Sequence, residues 1–185
     1  MEHFYQTIGE DWFSYADFYK EMVAKYDHAR FAEIGCWKGR STAYLGVEII
    51  NQKKDIEVHC IDSWKYRENT EQPVSSQKDF DYVFEQFSRN IIQFPFIKTF
   101  KIDSVEGSII FPDNYFDFIF IDAGHHYVDV LQDIKSWYPK LKGFGIIAGH
   151  DYFTKVHPGV KSAVDEYFNY DVWCSPKKNI WIYQK

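Results

Sequence analysis

The sequence predicts an α/β protein built on a doubly wound, mostly parallel sheet that ends in an antiparallel hairpin. Three observations predict it. Short apolar runs alternate with amphipathic helical patterns, polar and glycine residues gather just after the runs, and the final segment departs from the alternation. Parallel strands need crossovers, usually helical, so such alternation implies a sheet covered on both faces.

The elements follow in order. Trp12, Tyr15, Tyr19, Met22, Val23 and Tyr26 recur at helical spacing and predict an amphipathic helix within an N-terminal cap over 1–28. Apolar runs at 31–36, 58–62, 97–102, 116–122 and 145–148 are too short for typical helices and read as buried strands. Between them, Tyr44, Val47 and Ile50, then Phe80, Val83, Phe84, Phe87 and Ile91, then Tyr127, Val130, Leu131, Ile134 and Trp137 mark helices. A last helix runs over Val160, Ala163, Val164, Tyr167 and Phe168. Two strand-like pieces then flank the turn residues Pro176, Lys177, Lys178 and Asn179. The polar stretch 65–78 cannot bury enough apolar area to order itself, and its place after the second strand predicts a mobile lid.

At 185 residues the chain reads as one domain over 1–185, and 45% hydrophobic with 26% charged residues is globular composition. The 20% aromatic share is more ring surface than a core alone needs, which points to a pocket. A net charge of -6 disfavours binding to nucleic acid or an anionic membrane, which requires a basic field, so small molecules or proteins are the expected partners, a small-molecule acceptor first. Without a long apolar span or a signal-like start, a cytoplasmic location is expected. Cys36, Cys60 and Cys174 are odd in number and far apart, and read as reduced packing residues. Homo-oligomer formation is left open.

In an open parallel sheet, ligands bind outside the carboxyl ends of the strands. The first strand leaves through Glu33-Ile34-Gly35-Cys36-Trp37-Lys38-Gly39-Arg40-Ser41, where glycines permit close backbone approach and Ser41 can cap the next helix. The second ends at Asp62, able to accept from ribose hydroxyls, and the third at Asp103 and Ser104, able to meet an adenine amino group or to cap a short helix. The fourth and fifth ends carry Asp122, His125, His126, His150 and Asp151. Carboxylates and imidazoles converging at one rim suit proton transfer or a divalent metal.

These motifs together resemble class I S-adenosylmethionine-dependent methyltransferases, particularly the group with macrolide-sugar O-methyltransferases and cephalosporin-hydroxylase-like proteins. The resemblance spans roughly 29 to 170 and rests on EIGCWKGRS (33–41), IDSW (61–64), DS (103–104), IDAGHHY (121–127), LKGFGIIAGHDY (141–152) and HPGVKSAVDE (157–166). It implies a Rossmann-like methyltransferase sheet with Glu33, Gly35, Gly39 and Ser41 around the methionine part of S-adenosylmethionine. By the same resemblance Asp62 holds the ribose, Trp64 lies near the adenine, Asp103 and Ser104 meet the adenine edge, and Asp122 lies near the sulfonium. It also implies His125 as general base, with Asp122 and Asp151 in the catalytic set. Asp122, His150 and Asp151 would hold Mg²⁺ or another divalent ion. Gly124, His126 and His150 depart from the group's pattern, and His150 stands where an acidic ligand is expected.

The implied activity is O-methylation of a small hydroxylated molecule such as a sugar or secondary metabolite. A nicotinamide oxidoreductase would share Asp62, but glycines spaced Gly-x-x-x-Gly do not form the Gly-x-Gly-x-x-Gly cradle that a pyrophosphate needs. A metal hydrolase using His125, His150, Asp122 and Asp151, and a non-catalytic cofactor-binding module, are the other readings.

Overall fold

A computed structural model describes residues 1–10, 12–68 and 73–185. The chain runs α1 (Ala16–Lys25), β1 (His28–Ile34), α2 (Arg40–Asn51), β2 (Asp55–Asp62), α3 (Gln77–Ile91), β3 (Ile97–Lys101), α4 (Ser104–Ser108), β4 (Phe116–Ile121), α5 (Tyr127–Trp137), β5 (Leu141–Gly149), α6 (Pro158–Tyr167), β6 (Trp173–Ser175) and β7 (Ile180–Gln184). The strands form one sheet in the order β3-β2-β1-β4-β5-β7-β6. The first five pair in parallel, while β7 lies antiparallel between β5 and β6. This is the expected α/β architecture, with the C-terminal hairpin turning at Pro176 to Asn179.

Alternation along each central strand sends successive side chains to opposite faces. Phe31, Phe118 and Phe120 pack under α1, α2 and α3 with Tyr19, Leu45 and Phe87. Ala32, Ile34, Ile119 and Ile121 pack under α5 and α6 with Ile134, Trp137 and Val164. Strands buried on both faces read as unbroken apolar runs, which is why they were legible.

Two boundaries differ from expectation. The N-terminal helix starts at Ala16 with Tyr15 at its N-cap, so Trp12 lies outside it, half-exposed, with its ring 6.2 Å from that of Trp37. Aromatic spacing extended the predicted helix because the residues before Tyr15 are apolar for a different purpose: Phe13 packs edge-on to Tyr15. The polar stretch 65–78 ends in helix, since α3 begins at Gln77 with Ser76 capping the backbone N–H of Asp79. Residues 69–72 of the expected lid lie outside the described residues.

The order places β1 beside β4, with β2 and β3 on one side and β5 on the other. Successive crossovers therefore diverge between β1 and β4, which opens a crevice at their carboxyl ends. There Asp122 N donates to Ile34 O at 2.7 Å, and a Cβ on Gly35 (φ +85°) would lie 2.1 Å from Asp122 O. Only glycine permits that approach.

Candidate active site

Two cavities meet at this crevice. The larger, about 510 Å³, lies over the ends of β1 to β4 and is bounded by Asp62, Ser63, Asp103, Ser104, Asp122 and Asp133, among others. The smaller, about 310 Å³, opens between the N-terminal segment and the ends of β4 and β5. Gly35, Trp37, Asp122 and His125 line both.

The loop after β1 is organised by Asp62. Its Oδ2 accepts from the backbone N–H groups of Cys36 (2.9 Å) and Trp37 (3.0 Å), and its Oδ1 from that of Trp64 (2.9 Å). A carboxylate has about four acceptor positions, so three are filled and one remains for a ligand hydroxyl. Trp37 (φ 48°) and Trp64 (φ 42°) hold left-handed backbone, a strain that these bonds stabilise.

Several predicted contacts move to the protein interior. Trp64 is fully buried against Phe84 and Phe87, and its indole donates to Trp37 O at 2.9 Å, so it cannot meet an adenine. Its adjacency to Asp62 misled, because the left-handed turn swings the ring under α3. Glu33 is buried too, accepting from Tyr19 (2.9 Å) and Thr42, and burial pushes its carboxyl up to about 6 against these bonds and Ser41. It joins α1 and α2 behind the site instead of lining a cavity. Gly39 (φ +80°) serves helix packing, since a Cβ there would lie 2.9 Å from Phe87. Gly35 lines both cavities, and Ser41 lines the smaller one.

At the end of β3, Asp103 is both a helix cap and a cavity wall. Oδ1 accepts from Val105 N (3.0 Å) and Oδ2 from Arg67 (2.5 Å). Ser104 Oγ accepts from the Trp137 indole at 2.9 Å. Asp133, on α5, is 5% exposed; burial pushes its carboxyl up to about 7, with Ser104 opposing and Asp103 and Asp129 adding. It is a cavity residue that sequence reading missed, because a lone Asp on an amphipathic helix looks like a solvated position.

The rim residues do converge. Tyr15 donates to Asp122 Oδ2 at 2.8 Å. Oδ1 of Asp122 lies 3.7 Å from His150 Nδ1, which is 3.3 Å from Asp151 Oδ2. The same Asp151 oxygen lies 3.2 Å from His125 Nε2, and Asn179 donates to Asp151 Oδ1 at 3.0 Å. Asp151 (φ 61°) thus sits in strained backbone between two imidazoles. Burial opposes ionisation of Asp151, but His125 and His150 hold it well below the usual carboxylate range. Burial likewise opposes charge on His150, yet Asp122 and Asp151 raise it. Asp122 is raised by burial, with His150 opposing. Sequence reading also missed Ser14, Tyr15 and Asn179, whose contacts span 28 to 136 residues of chain.

Asp122, His150 and Asp151 each offer a ligand atom within 4.8 Å of the others. Ser14 Oγ donates to Lys178 O at 2.8 Å, so at its 2.9 Å contact with His150 Nε2 it is the acceptor. Nε2–H directed to Ser14 leaves Nδ1 as the ligating nitrogen of a neutral ring, the arrangement metal-bound histidines adopt. These three residues fit a divalent ion. His125, Asp151 and His157 are also close, but the His125 and His157 rings stack at 3.9 Å and 20°, so their in-plane lone pairs run parallel and cannot converge.

The methyltransferase-domain family matches residues 32–152, which include the ends of β1, β2, β3, β4 and β5. No curated protein matches the chain by sequence. Among solved structures, the O-methyltransferase NovP is similar with a TM-score of 0.72 and 16% identity, covering 93% of this chain and 79% of its own. CalS11, a TDP-rhamnose 3'-O-methyltransferase of calicheamicin biosynthesis, is similar with a TM-score of 0.63 and 11% identity, covering 91% and 76%. At such identities the likeness establishes the fold, and the family match carries the assignment. The glycine-lined crevice, the Asp62-organised loop and the antiparallel β7 accompany that match, and the chain belongs to the methyltransferase-domain family, as a class I S-adenosylmethionine-dependent methyltransferase.

Proposed function

We propose that the protein methylates a hydroxyl of a small molecule such as a sugar or secondary metabolite, with the cofactor in the larger cavity and the acceptor in the smaller. The observation that carries this reading is the meeting of both cavities at Asp122 and His125. The larger cavity carries Asp62, Glu68, Asp103, Asp122, Asp129 and Asp133 against Lys65 and Arg67. That field favours a cationic sulfonium and repels a pyrophosphate, which argues against the nicotinamide reading. The free thiols Cys36, Cys60 and Cys174 suit the reducing cytoplasm.

S-adenosylmethionine supplies an electrophilic methyl group when bound. The chain's task is then positioning, which is worth up to roughly 7 to 11 kcal/mol in well-oriented reactions. Asp62 orients the loop that faces the cofactor and offers its remaining acceptor position to the ribose. Asp151 faces His125 Nε2 at 3.2 Å and orients the imidazole; His125 takes the acceptor hydroxyl proton as attack proceeds. Trp12, Phe13 and Trp37 line the acceptor cavity with apolar surface that excludes water. A divalent ion held by Asp122, His150 and Asp151 would lower the pKa of the acceptor hydroxyl, and this is the second reading, favoured by the fit of those donors. The test is incubation of the protein and S-adenosylmethionine with a panel of sugars and phenols, read by mass spectrometry. Methylated product supports the proposal. Cofactor binding without turnover on any acceptor, in the presence of divalent ions, favours a binding module.

A further inference from the structure

The C-terminal hairpin does more than extend the sheet. β7 runs antiparallel to β5 with Trp181 opposite Gly149, so the turn that precedes β7 lands at the carboxyl end of β5, beside His150 and Asp151. That turn is closed by Lys178 N on Ser175 O and by Asn179 N on Pro176 O. Asn179 takes left-handed backbone (φ 54°), a conformation that asparagine enters more readily than most residues.

Two contacts run from the turn into the rim of the crevice. Lys178 O accepts from Ser14 Oγ at 2.8 Å, and Ser14 meets His150 Nε2 at 2.9 Å. Asn179 Oδ1 accepts from Phe153 N at 2.7 Å, which turns the amide nitrogen toward Asp151, where Nδ2 donates to Oδ1 at 3.0 Å. The other oxygen of that carboxylate, Oδ2, faces His125 Nε2 at 3.2 Å and His150 Nδ1 at 3.3 Å. Rotation about the Cβ–Cγ bond of an aspartate is soft, with broad wells. A donor fixed on Oδ1 therefore decides where Oδ2 points.

We propose that Asn179 is a positioning residue for methyl transfer, fixing the Asp151 carboxylate so that its second oxygen orients the His125 imidazole. This rests on the reading of His125 as the base. Two substitutions separate positioning from packing. Asn179→Gly removes both amide bonds without straining a backbone at positive φ. Asn179→Asp keeps the size and the acceptor for Phe153 N, but sets a carboxylate against Asp151 in place of the donor. If Asn179 only holds the turn together, the aspartate variant is the milder of the two, because it loses one bond and not both. If Asn179 positions Asp151, the aspartate variant is at least as damaging, because repulsion turns the Asp151 carboxylate away where the glycine merely releases it.

The experiment compares the intact wild-type protein with both variants in four measurements: turnover with an acceptor found among the sugars and phenols, S-adenosylhomocysteine affinity by calorimetry, melting temperature, and the imidazole nitrogen signals by NMR at one fixed pH. Both variants are expected to lower kcat about 10- to 100-fold, the scale of loss that a misplacement of about 1 Å brings. Asn179→Asp should lose at least as much as Asn179→Gly, with cofactor affinity and acceptor KM nearly intact. The signals of His125 and His150 should move, while those of His28, which begins β1 at the opposite end of the sheet, stay in place. Wild-type kcat in Asn179→Asp overturns the proposal, as do losses of kcat that follow melting temperature with the glycine variant the worse. Unmoved His125 signals in both variants overturn it as well. If Asn179→Gly does not fold, Asn179→Asp against wild type decides. If no acceptor on the panel is methylated, that failure falls on the hydroxyl-methylation reading, and the His125 signals decide whether Asn179 positions the rim.

Discussion

The phenolic hydroxyl of Tyr15 donates to Asp122 Oδ2 at 2.8 Å, joining the N-terminal segment to the carboxyl end of β4 across 107 residues of sequence. It leaves Asp122 Oδ1 facing His150 and completes the wall of the smaller cavity. Tyr15→Phe should keep the ring packing on Phe120 and lose the bond. A hydrogen bond to a charged group contributes about 1.5 to 3 kcal/mol. Denaturant titration should show a loss near that size, and turnover should fall more than cofactor affinity. Unchanged stability and turnover would mean that the N-terminal segment does not organise the site.

Asp62 organises the loop after β1, and in the proposed reading it also meets the cofactor. Asp62→Ala removes three backbone partners at once, those of Cys36, Trp37 and Trp64. It should lower the melting temperature and abolish measurable cofactor binding. Asp62→Asn keeps an acceptor oxygen and should weaken binding about 10- to 100-fold while losing less stability. A variant with wild-type melting and weakened binding would assign Asp62 to the ribose alone.

Stability should decline with rising pH over the range where Asp133 and Glu33 hold extra protons. Their carboxyls are pushed up by burial to about 7 and about 6, against about 4 in an unfolded chain. Between those values the folded state binds more protons than the unfolded, so unfolding free energy falls as pH rises through this window. Asp133→Asn should flatten the upper part of the profile and leave the part due to Glu33. A wild-type profile that rises from pH 4 to pH 7 would contradict both assignments.

The architecture was legible because strands buried on both faces leave continuous apolar runs, and their ends leave Asp62, Asp103 and Asp122 as abrupt polar residues. Convergence of His125, His150 and Asp151 followed from strand neighbours alone. What escaped was set by long-range contact. Asn179 reaches Asp151 only because β7 inserts beside β5, and Ser14 reaches His150 through a coil segment without periodicity. Trp64 was misplaced because a positive φ of 42° at a non-glycine residue leaves no mark in the sequence. Asp133 was silent because a lone Asp on an amphipathic helix reads as a solvated position, and only the packing around α5 buries it.

His125 and the metal donors separate in one set of rate measurements. His125→Ala should reduce turnover about 100- to 10,000-fold with cofactor affinity nearly intact. Chelation should leave wild-type activity in place, because magnesium prefers oxygen ligands and one of the three donors is the His150 imidazole. Asp151→Asn should still impair turnover through His125, whose Nε2 it faces at 3.2 Å. Activity abolished by chelation and restored by Mg²⁺ or Mn²⁺ would transfer the role to the metal.

The central claim is that the crevice between β1 and β4 takes a sulfonium nucleoside and not a dinucleotide. Calorimetric titration of the purified protein with S-adenosylmethionine, S-adenosylhomocysteine and NADH tests it most directly. The account predicts saturable one-to-one binding of the first two, lost in Asp62→Ala, and no heat from NADH. Binding of NADH with no response to either sulfur compound would contradict it.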